Sequence, residues 1–70
     1  MNEVVTNRVG EIRQASGVTQ EELAHAVGVS RQTISALEKG NYTPSVLLAI
    51  KIAAYFKTDV EKLFTITHEK

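Results

Sequence analysis

The chain has 70 residues, with eight basic and eight acidic side chains, zero net charge and no cysteine. This length predicts one domain over residues 1–70, and the absence of cysteine excludes disulfides and thiolate metal ligands. His25 and His68 are too few and too far apart to indicate a metal site, and both are expected to be ordinary polar surface residues. No apolar run approaches the roughly 20 residues of a membrane span and the N-terminus does not resemble a signal peptide, so a cytoplasmic location is expected.

The first predicted helix covers residues 7–16. Thr6 is its expected cap, because a threonine hydroxyl can accept a hydrogen bond from a free amide of the first turn. Gly17 is expected to end it. The apolar residues at helical spacing are Val9, Ile12 and Ala15. Their spacing indicates a face turned toward the core.

The second and third predicted helices, residues 20–27 and 31–39, lie close together in sequence. Thr19 and Glu22 form a capping box before the second helix, and Ser30 can cap the third. Gly28 suits the left-handed turn between them. The apolar positions are Leu23, Val27, Val29, Ile34 and Leu37, with the small Ala24 where the helices cross. This spacing predicts a helix-turn-helix; an αα-corner that only stabilises a bundle is the alternative.

A fourth helix, residues 46–56, and a short fifth helix, residues 60–64, complete the prediction, with Ser45 and Asp59 as their expected caps. The fourth helix is apolar nearly all the way round, and such a helix should be buried on every side. Its expected core face consists of Val46, Ala49, Ile50, Ala53 and Phe56. Its second apolar face, left for another partner, consists of Leu48, Ile52 and Tyr55.

The predicted fold class is all-α, a compact five-helix bundle, to which the termini can add a two-stranded β-ribbon. Phe64 and Ile66 alternate with polar residues in the tail, and residues 3–5 could pair with them. A lone ribbon is marginal in water but becomes plausible at a subunit contact. We therefore expect a two-fold homodimer, whose interface would contain Leu48, Ile52, Tyr55, Leu63, Phe64 and Ile66. The alternative is that the tail shields the second face within one chain.

The outer face of the third helix carries polar and small side chains opposite the apolar ones. An α-helix fits the major groove of DNA, where arginine can donate to guanine O6 and N7 and glutamine can pair with adenine N6 and N7. Small side chains allow close approach, and their methyl groups can contact a thymine methyl. The candidate base-reading residues are Arg31, Gln32, Thr33, Ser35 and Ala36. For Arg31, a solvated or phosphate-binding side chain is the alternative.

Phosphate contacts are predicted at two places. Gln20 begins the second helix, where free backbone amides attract an anion. Lys39, Asn41 and Tyr42 follow the third helix and could reach the opposite strand, although Tyr42 could instead pack over the turn. With zero net charge, few phosphate contacts and a modest salt dependence are expected.

The stretch TQEELAHAVGVSRQTISALEKG, followed by YTPS and LAIKIAAYF, resembles the Cro/cI-type helix-turn-helix regulators, also called the XRE family, across about residues 7–64. SRQTI and the EKG/Y/PS turn are similar to small stand-alone repressors of the cytolysin-repressor type. The resemblance implies a lambda-repressor-like domain and a dimer that binds double-stranded DNA. A two-fold dimer would in turn require an inverted-repeat operator. The resemblance places base reading at Arg31, Gln32 and Ala36 in particular, although many relatives carry a hydrogen-bonding residue where Ala36 stands. It also implies that Arg13 and Glu38 pair.

Other functions find less support in the sequence. No cysteine nucleophile, glycine-rich phosphate loop or histidine–carboxylate arrangement is found, so no enzymatic activity, cofactor or small-molecule effector is expected. The alternative function is an antitoxin or protein-interaction subunit on the same fold. An antitoxin would usually carry a toxin-binding extension, for which the short tail after Phe64 leaves little room.

Overall fold

Over the part of the chain that the structure describes, five helices and a two-stranded antiparallel sheet make up the fold. The computed structural model describes residues 2–69. The elements in chain order are β1 Asn2–Asn7, α1 Val9–Ala15, α2 Gln20–Val27, α3 Arg31–Glu38, α4 Val46–Tyr55, α5 Val60–Leu63 and β2 Phe64–Glu69. The predicted helical bundle with a ribbon formed by the terminal segments is therefore confirmed. No helix within the described range is long and apolar enough to cross a membrane.

The core is built from side chains of all five helices. Those that are completely buried are Val9, Leu23, Ile34, Leu37, Ile52 and Leu63. Burying a side chain of this size contributes roughly 1.5–3 kcal/mol each, so these few residues dominate the stability of so short a chain. Ala24 is also buried, at 3% exposure, as expected of the small residue where α2 packs against α3.

The caps of the three central helices follow the sequence prediction. Thr19 and Glu22 form the complete capping box, with bonds of 2.8 and 3.0 Å between each side chain and the other residue's amide. The hydroxyls of Ser30 and Ser45 accept from backbone amides three residues further on, at 3.2 and 3.1 Å. Gly28 adopts the left-handed conformation, with φ of 79°. Local hydrogen-bonding chemistry thus fixes where α2, α3 and α4 begin.

The predicted start of α1 is wrong. Thr6 lies in β1, and its hydroxyl is hydrogen-bonded to the hydroxyl of Thr65 at 2.8 Å, so it does not cap the helix. Arg8 occupies the N-cap position without a side-chain cap bond, and the side-chain oxygen of Asn7 just before it accepts from the amide of Val9 at 3.1 Å. Asp59 likewise makes no side-chain cap bond before α5. The helices α1, α3, α4 and α5 are also slightly shorter than predicted, whereas α2 has the predicted bounds.

The buried residues of α4 come from both predicted faces: Ala49 and Ala53 from the expected core face, and Leu48 and Ile52 from the face assigned to a dimer contact. Leu48 and Ile52 are only 5% and 0% exposed, whereas Val46 and Ile50 are 77% and 52% exposed. The helix is apolar on both faces, so its periodicity gives no direction; packing against α2 and α5 decides it. Leu48, Ile52 and the equally buried Leu63 therefore belong to the core, and their assignment to a dimer interface is wrong.

The ribbon extends its apolar face beyond the core. Val5 pairs with Ile66 and Asn7 pairs with Phe64, so these four side chains lie on one face of the ribbon. Phe64 packs against the core, whereas Val5 and Ile66 are 47% and 65% exposed. The molecule is elongated, with a length of 37 Å against 23 and 22 Å in the other two directions. Of the predicted dimer interface, Ile66 and Tyr55, which is 40% exposed, remain accessible.

Candidate nucleic-acid interface

The helix α3 is anchored by its inner face and presents its outer face to solvent. Ile34 and Leu37 are completely buried, whereas Arg31 and Gln32 at the N-terminal end are exposed. The turn that precedes α3 is tightly closed, because the amides of Gly28 and Val29 both donate to the carbonyl of Ala24, at 2.9 and 3.0 Å. The orientation of the exposed end is therefore fixed by the core and by the turn.

The predicted base-reading residues share this outer face but differ in exposure. Arg31 and Gln32 are exposed, and Thr33, Ser35 and Ala36 are half-buried. The hydroxyl of Thr33 is within hydrogen-bond distance, 3.0 Å, of the Ser30 hydroxyl. The structure thus presents two long polar side chains beside a shallow surface formed by three small residues. That shape suits an edge of a base pair, where long side chains reach in and small ones permit contact.

A polar cluster lies beneath this face and ties three helices together. Glu38 accepts from Arg13 Nε at 2.7 Å and from Arg13 Nη2 at 3.2 Å, and the two side chains are only 11% and 12% exposed. Arg13 Nη1 also donates to the carbonyl of Val18 at 2.8 Å. Glu38 accepts a third bond, from Gln20 Nε2, at 3.0 Å. The pair implied by the family resemblance is therefore present, as a bidentate contact between α1 and α3.

The charge state of the cluster follows from these contacts. Burial raises the pKa of Glu38, but hydrogen bonds from Arg13 and Gln20, together with the charge of Arg13, outweigh it and leave the pKa below its ordinary value. The hydrogen bond to Glu38 in turn raises the pKa of Arg13. Both groups are therefore charged at neutral pH, and the pair is a salt bridge rather than a neutral contact.

The remaining oxygen of the Gln20 side chain faces Arg31. Gln20 Oε1 lies 3.5 Å from Arg31 Nη1, at the long limit of a hydrogen bond. Gln20 begins α2 and Arg31 begins α3, so the contact joins the N-terminal ends of the two helices of the helix-turn-helix. A chain of contacts therefore runs from Glu38 through Gln20 to the first residue of α3.

Sequence reasoning missed two residues near this cluster, Gly10 and Asn7. A Cβ at Gly10 would lie 3.2 Å from both Cδ and Oε1 of Glu38, so the glycine leaves room for the carboxylate. Asn7 Nδ2 donates to the carbonyl of Leu37 at 2.9 Å, tying the end of β1 to the last turn of α3. An isolated glycine in a helical pattern and an asparagine just before a helix were the available signals.

The other predicted phosphate-contacting residues follow α3. Lys39, Asn41 and Tyr42 are exposed, and the Asn41 amide donates to the carbonyl of Ala36 at 2.9 Å. The turn between them contains Gly40 at φ of 81°. Their exposure leaves these side chains free to meet a ligand at the C-terminal end of α3. Among residues 2–69 no group of three side chains could hold a metal ion.

Comparisons with known proteins agree with this geometry. The family model of the helix-turn-helix proteins, HTH_3, matches residues 9–63. The uncharacterized HTH-type transcriptional regulator YgzD of Bacillus subtilis is 48% identical over 63 residues, which cover 90% of this chain and 96% of that protein. The cryptic phage CTXphi transcriptional repressor RstR of Vibrio cholerae is 28% identical, over 83% of this chain and 52% of RstR. The restriction-modification controller protein C.AhdI of Aeromonas hydrophila has a similar crystal structure, with a TM-score of 0.74, 29% identity, and 79% and 83% of the two chains covered.

Proposed function

The chain belongs to the helix-turn-helix family of DNA-binding transcriptional regulators, and from this premise we propose that it is a repressor that reads its operator with α3. The observation that carries the proposal is the outer face of α3, where Arg31 and Gln32 are exposed on a helix anchored by completely buried residues. RstR, a repressor by name, is similar over most of this chain. A protein bound across a promoter excludes polymerase, which favours repression over activation.

In this proposal the N-terminal half of α3 enters the major groove. Arg31 donates to O6 and N7 of a guanine, and Gln32 pairs with N6 and N7 of an adenine. Thr33, Ser35 and Ala36 allow the helix to approach closely, and a methyl group of Thr33 or Ala36 contacts a thymine methyl. These contacts select the sequence. The action is binding without catalysis. Since the ligand is double-stranded DNA, we place the protein in the cytoplasm.

Phosphate contacts hold α3 in register on the duplex. One amide hydrogen of Gln20 is bonded to Glu38, and the second can donate to a phosphate oxygen at the start of α2. Lys39, Asn41 and Tyr42 contact the backbone at the other end of α3. Such contacts position the protein without reading bases.

We further propose a homodimer on an inverted-repeat operator, with a second copy covering the apolar ribbon face. Val5 and Ile66 are exposed cross-strand partners that continue the face on which Phe64 packs against the core. A two-stranded ribbon is marginal alone, and covering its apolar face stabilises it. Tyr55 is the other accessible member of the predicted interface. A two-fold axis there would place two α3 helices about 34 Å apart, one turn of DNA.

Selection of bound sequences from a random duplex pool tests the proposed function. We expect an inverted repeat, with a guanine preference in each half-site that Arg31→Ala removes. Enrichment of a single half-site would contradict the dimer, and an unchanged preference in Arg31→Ala would contradict base reading by Arg31. Comparison of transcript levels from the selected promoter with and without the protein would then separate repression from activation.

A further inference from the structure

We propose that Glu38 is a positioning residue for DNA recognition, which acts through Gln20 to set the position of the Arg31 guanidinium. This inference rests on the proposed function, because it assumes that Arg31 reads a base. Glu38 lies at the opposite end of α3 from Arg31. Its carboxylate accepts hydrogen bonds from Arg13 of α1 and Gln20 of α2. The ligand in question is a purine edge with two acceptors, as guanine presents in the major groove.

The first step is the orientation of the Gln20 amide. A carboxylate only accepts hydrogen bonds, so the side of the Gln20 amide that faces Glu38 must be its nitrogen. The observed bond, from Gln20 Nε2 to Glu38 Oε1 at 3.0 Å, has that orientation. The amide oxygen is consequently directed away from Glu38. A neutral or absent side chain at position 38 would remove this constraint, and either end of the amide could then face outward.

The second step is the contact of that oxygen with Arg31. A guanidinium is a donor only, and Gln20 Oε1 lies 3.5 Å from Arg31 Nη1. The reversed amide would instead place an NH2 group beside the guanidinium, where neither group accepts. One of the five guanidinium N–H groups faces Gln20, and the others remain available for a base. Pre-positioning lowers the ordering cost when a long side chain binds.

The third step is the rigidity of Glu38 itself. Two bonds from Arg13 hold its carboxylate, and its side chain is only 11% exposed. The absence of a side chain at Gly10 provides the space in which the carboxylate lies. Glu38 therefore has little freedom to reorient. A fixed acceptor fixes Gln20, and through Gln20 it biases the rotamers of Arg31.

The competing interpretation is that Gln20 contacts a phosphate only. In that case its replacement would weaken binding by the same factor on every DNA sequence, because phosphate contacts carry no base information. A positioning role would instead change the preference for one base pair in each half-site. The two interpretations thus differ in the ratio of affinities between duplexes, which a loss of folded protein does not alter.

The experiment compares Gln20→Met with Gln14→Met. Methionine keeps the length and helix propensity of glutamine but neither accepts nor donates comparably. Gln14 is an exposed glutamine of α1 without a side-chain hydrogen bond among the described residues, so it serves as the control for replacing a helical glutamine by methionine. Fluorescence anisotropy would measure the affinity of each variant for the duplex selected by the wild type and for duplexes in which each guanine is replaced by adenine.

We expect Gln20→Met to lower the discrimination at one guanine of each half-site by about fivefold, a fraction of what a bidentate arginine contact provides. Glu38→Gln should lower it at the same position, and Gln14→Met should leave it unchanged. Equal weakening on all duplexes, or no change in Gln20→Met, would overturn the inference. Arg31→Ala distinguishes failure of this inference from failure of the proposed function. If Arg31→Ala is the only variant that alters the guanine preference, Arg31 reads a base but Glu38 and Gln20 do not position it. If Arg31→Ala alters no guanine preference, base reading by Arg31 itself is wrong.

Discussion

Arg13 and Glu38 form a bidentate salt bridge that joins α1 to α3, with both side chains almost buried. Removal of one partner leaves the other charge in a poorly solvated position. We expect Arg13→Met to lower the free energy of unfolding by about 3 kcal/mol. Urea denaturation at one fixed protein concentration would measure it.

The chain offers a matched control for this substitution. Arg8 and Glu11 also form an ion pair, at 2.9 Å, but their side chains are 57% and 67% exposed. Solvent screens such a pair, so Arg8→Met should change the stability little or not at all. Equal losses in the two variants would mean that the buried pair contributes no more than the surface pair.

Stability should depend on pH through Glu38. Because the pKa of Glu38 in the folded protein is lower than in the unfolded chain, the unfolded state binds the proton more readily. The stabilisation is present above the ordinary glutamate pKa of about 4.3 and is lost as the pH falls through the lower folded pKa. Bonds from the Thr19 amide and hydroxyl also lower the pKa of Glu22, which adds to the effect.

Comparison with Glu38→Gln isolates the part of the pH dependence of stability that is due to the Glu38 carboxylate. The wild type should lose more stability than the variant between about pH 6 and about pH 3, since the amide does not titrate. Chemical denaturation at several pH values in that range would measure both slopes. Parallel curves for the two proteins would assign the acid sensitivity to other groups, such as Glu22.

Substitutions at the two kinds of DNA contact should have different signatures. Gln32→Ala should relax the preference at one base pair, at a cost of about 1–3 kcal/mol in discrimination. Lys39→Ala should instead weaken binding to all sequences and reduce the salt slope by about one. Titrations at several salt concentrations on matched duplexes would distinguish them. A wild-type slope near ten would contradict the few phosphate contacts expected of a chain with zero net charge.

The proposed dimer face can be tested by placing a charge on it. Ile66→Glu should convert the dimer to a monomer in sedimentation equilibrium at about micromolar protein, because a buried unpaired carboxylate is costly. Val46→Glu introduces the same charge on the outer face of α4, where Val46 is 77% exposed, and should leave the mass unchanged. If Val46→Glu dissociates the protein and Ile66→Glu does not, the second copy binds α4 instead.

The α2–α3 unit was predictable because its signals are local: the Thr19–Glu22 capping box, Gly28 and the Ser30 cap act within a few residues. The exposure of Gln32 followed from helical spacing, since a residue two positions from the buried Ile34 lies on the opposite side of the helix. Local hydrogen bonds and helical spacing therefore contain most of the information for this part of the fold.

The missed features depend on contacts between distant segments. Leu48 and Val46 are both apolar, so only the packing of α4 against α2 and α5 reveals which one is buried. Thr6 and Asn7 both end β1 and both could bond a free amide of α1, but Thr6 is bonded to Thr65 across the ribbon, which leaves the Val9 amide to Asn7. The bond from Gln20 to Glu38 likewise exists only once α2 and α3 have crossed. Such contacts cannot be predicted from spacing along the chain.

The bond from Asn7 to the Leu37 carbonyl limits the spacing between operator half-sites that the proposed dimer can bind. It joins the ribbon directly to α3, with no linker between the proposed dimer contact and the reading helix. In the proposed dimer, the distance between the two α3 helices is therefore fixed. Inserting one base pair between half-sites would rotate one of them by about 34–36° around the duplex, and this protein could not follow it. We expect a single permitted half-site spacing, where a regulator with flexible arms would accept several.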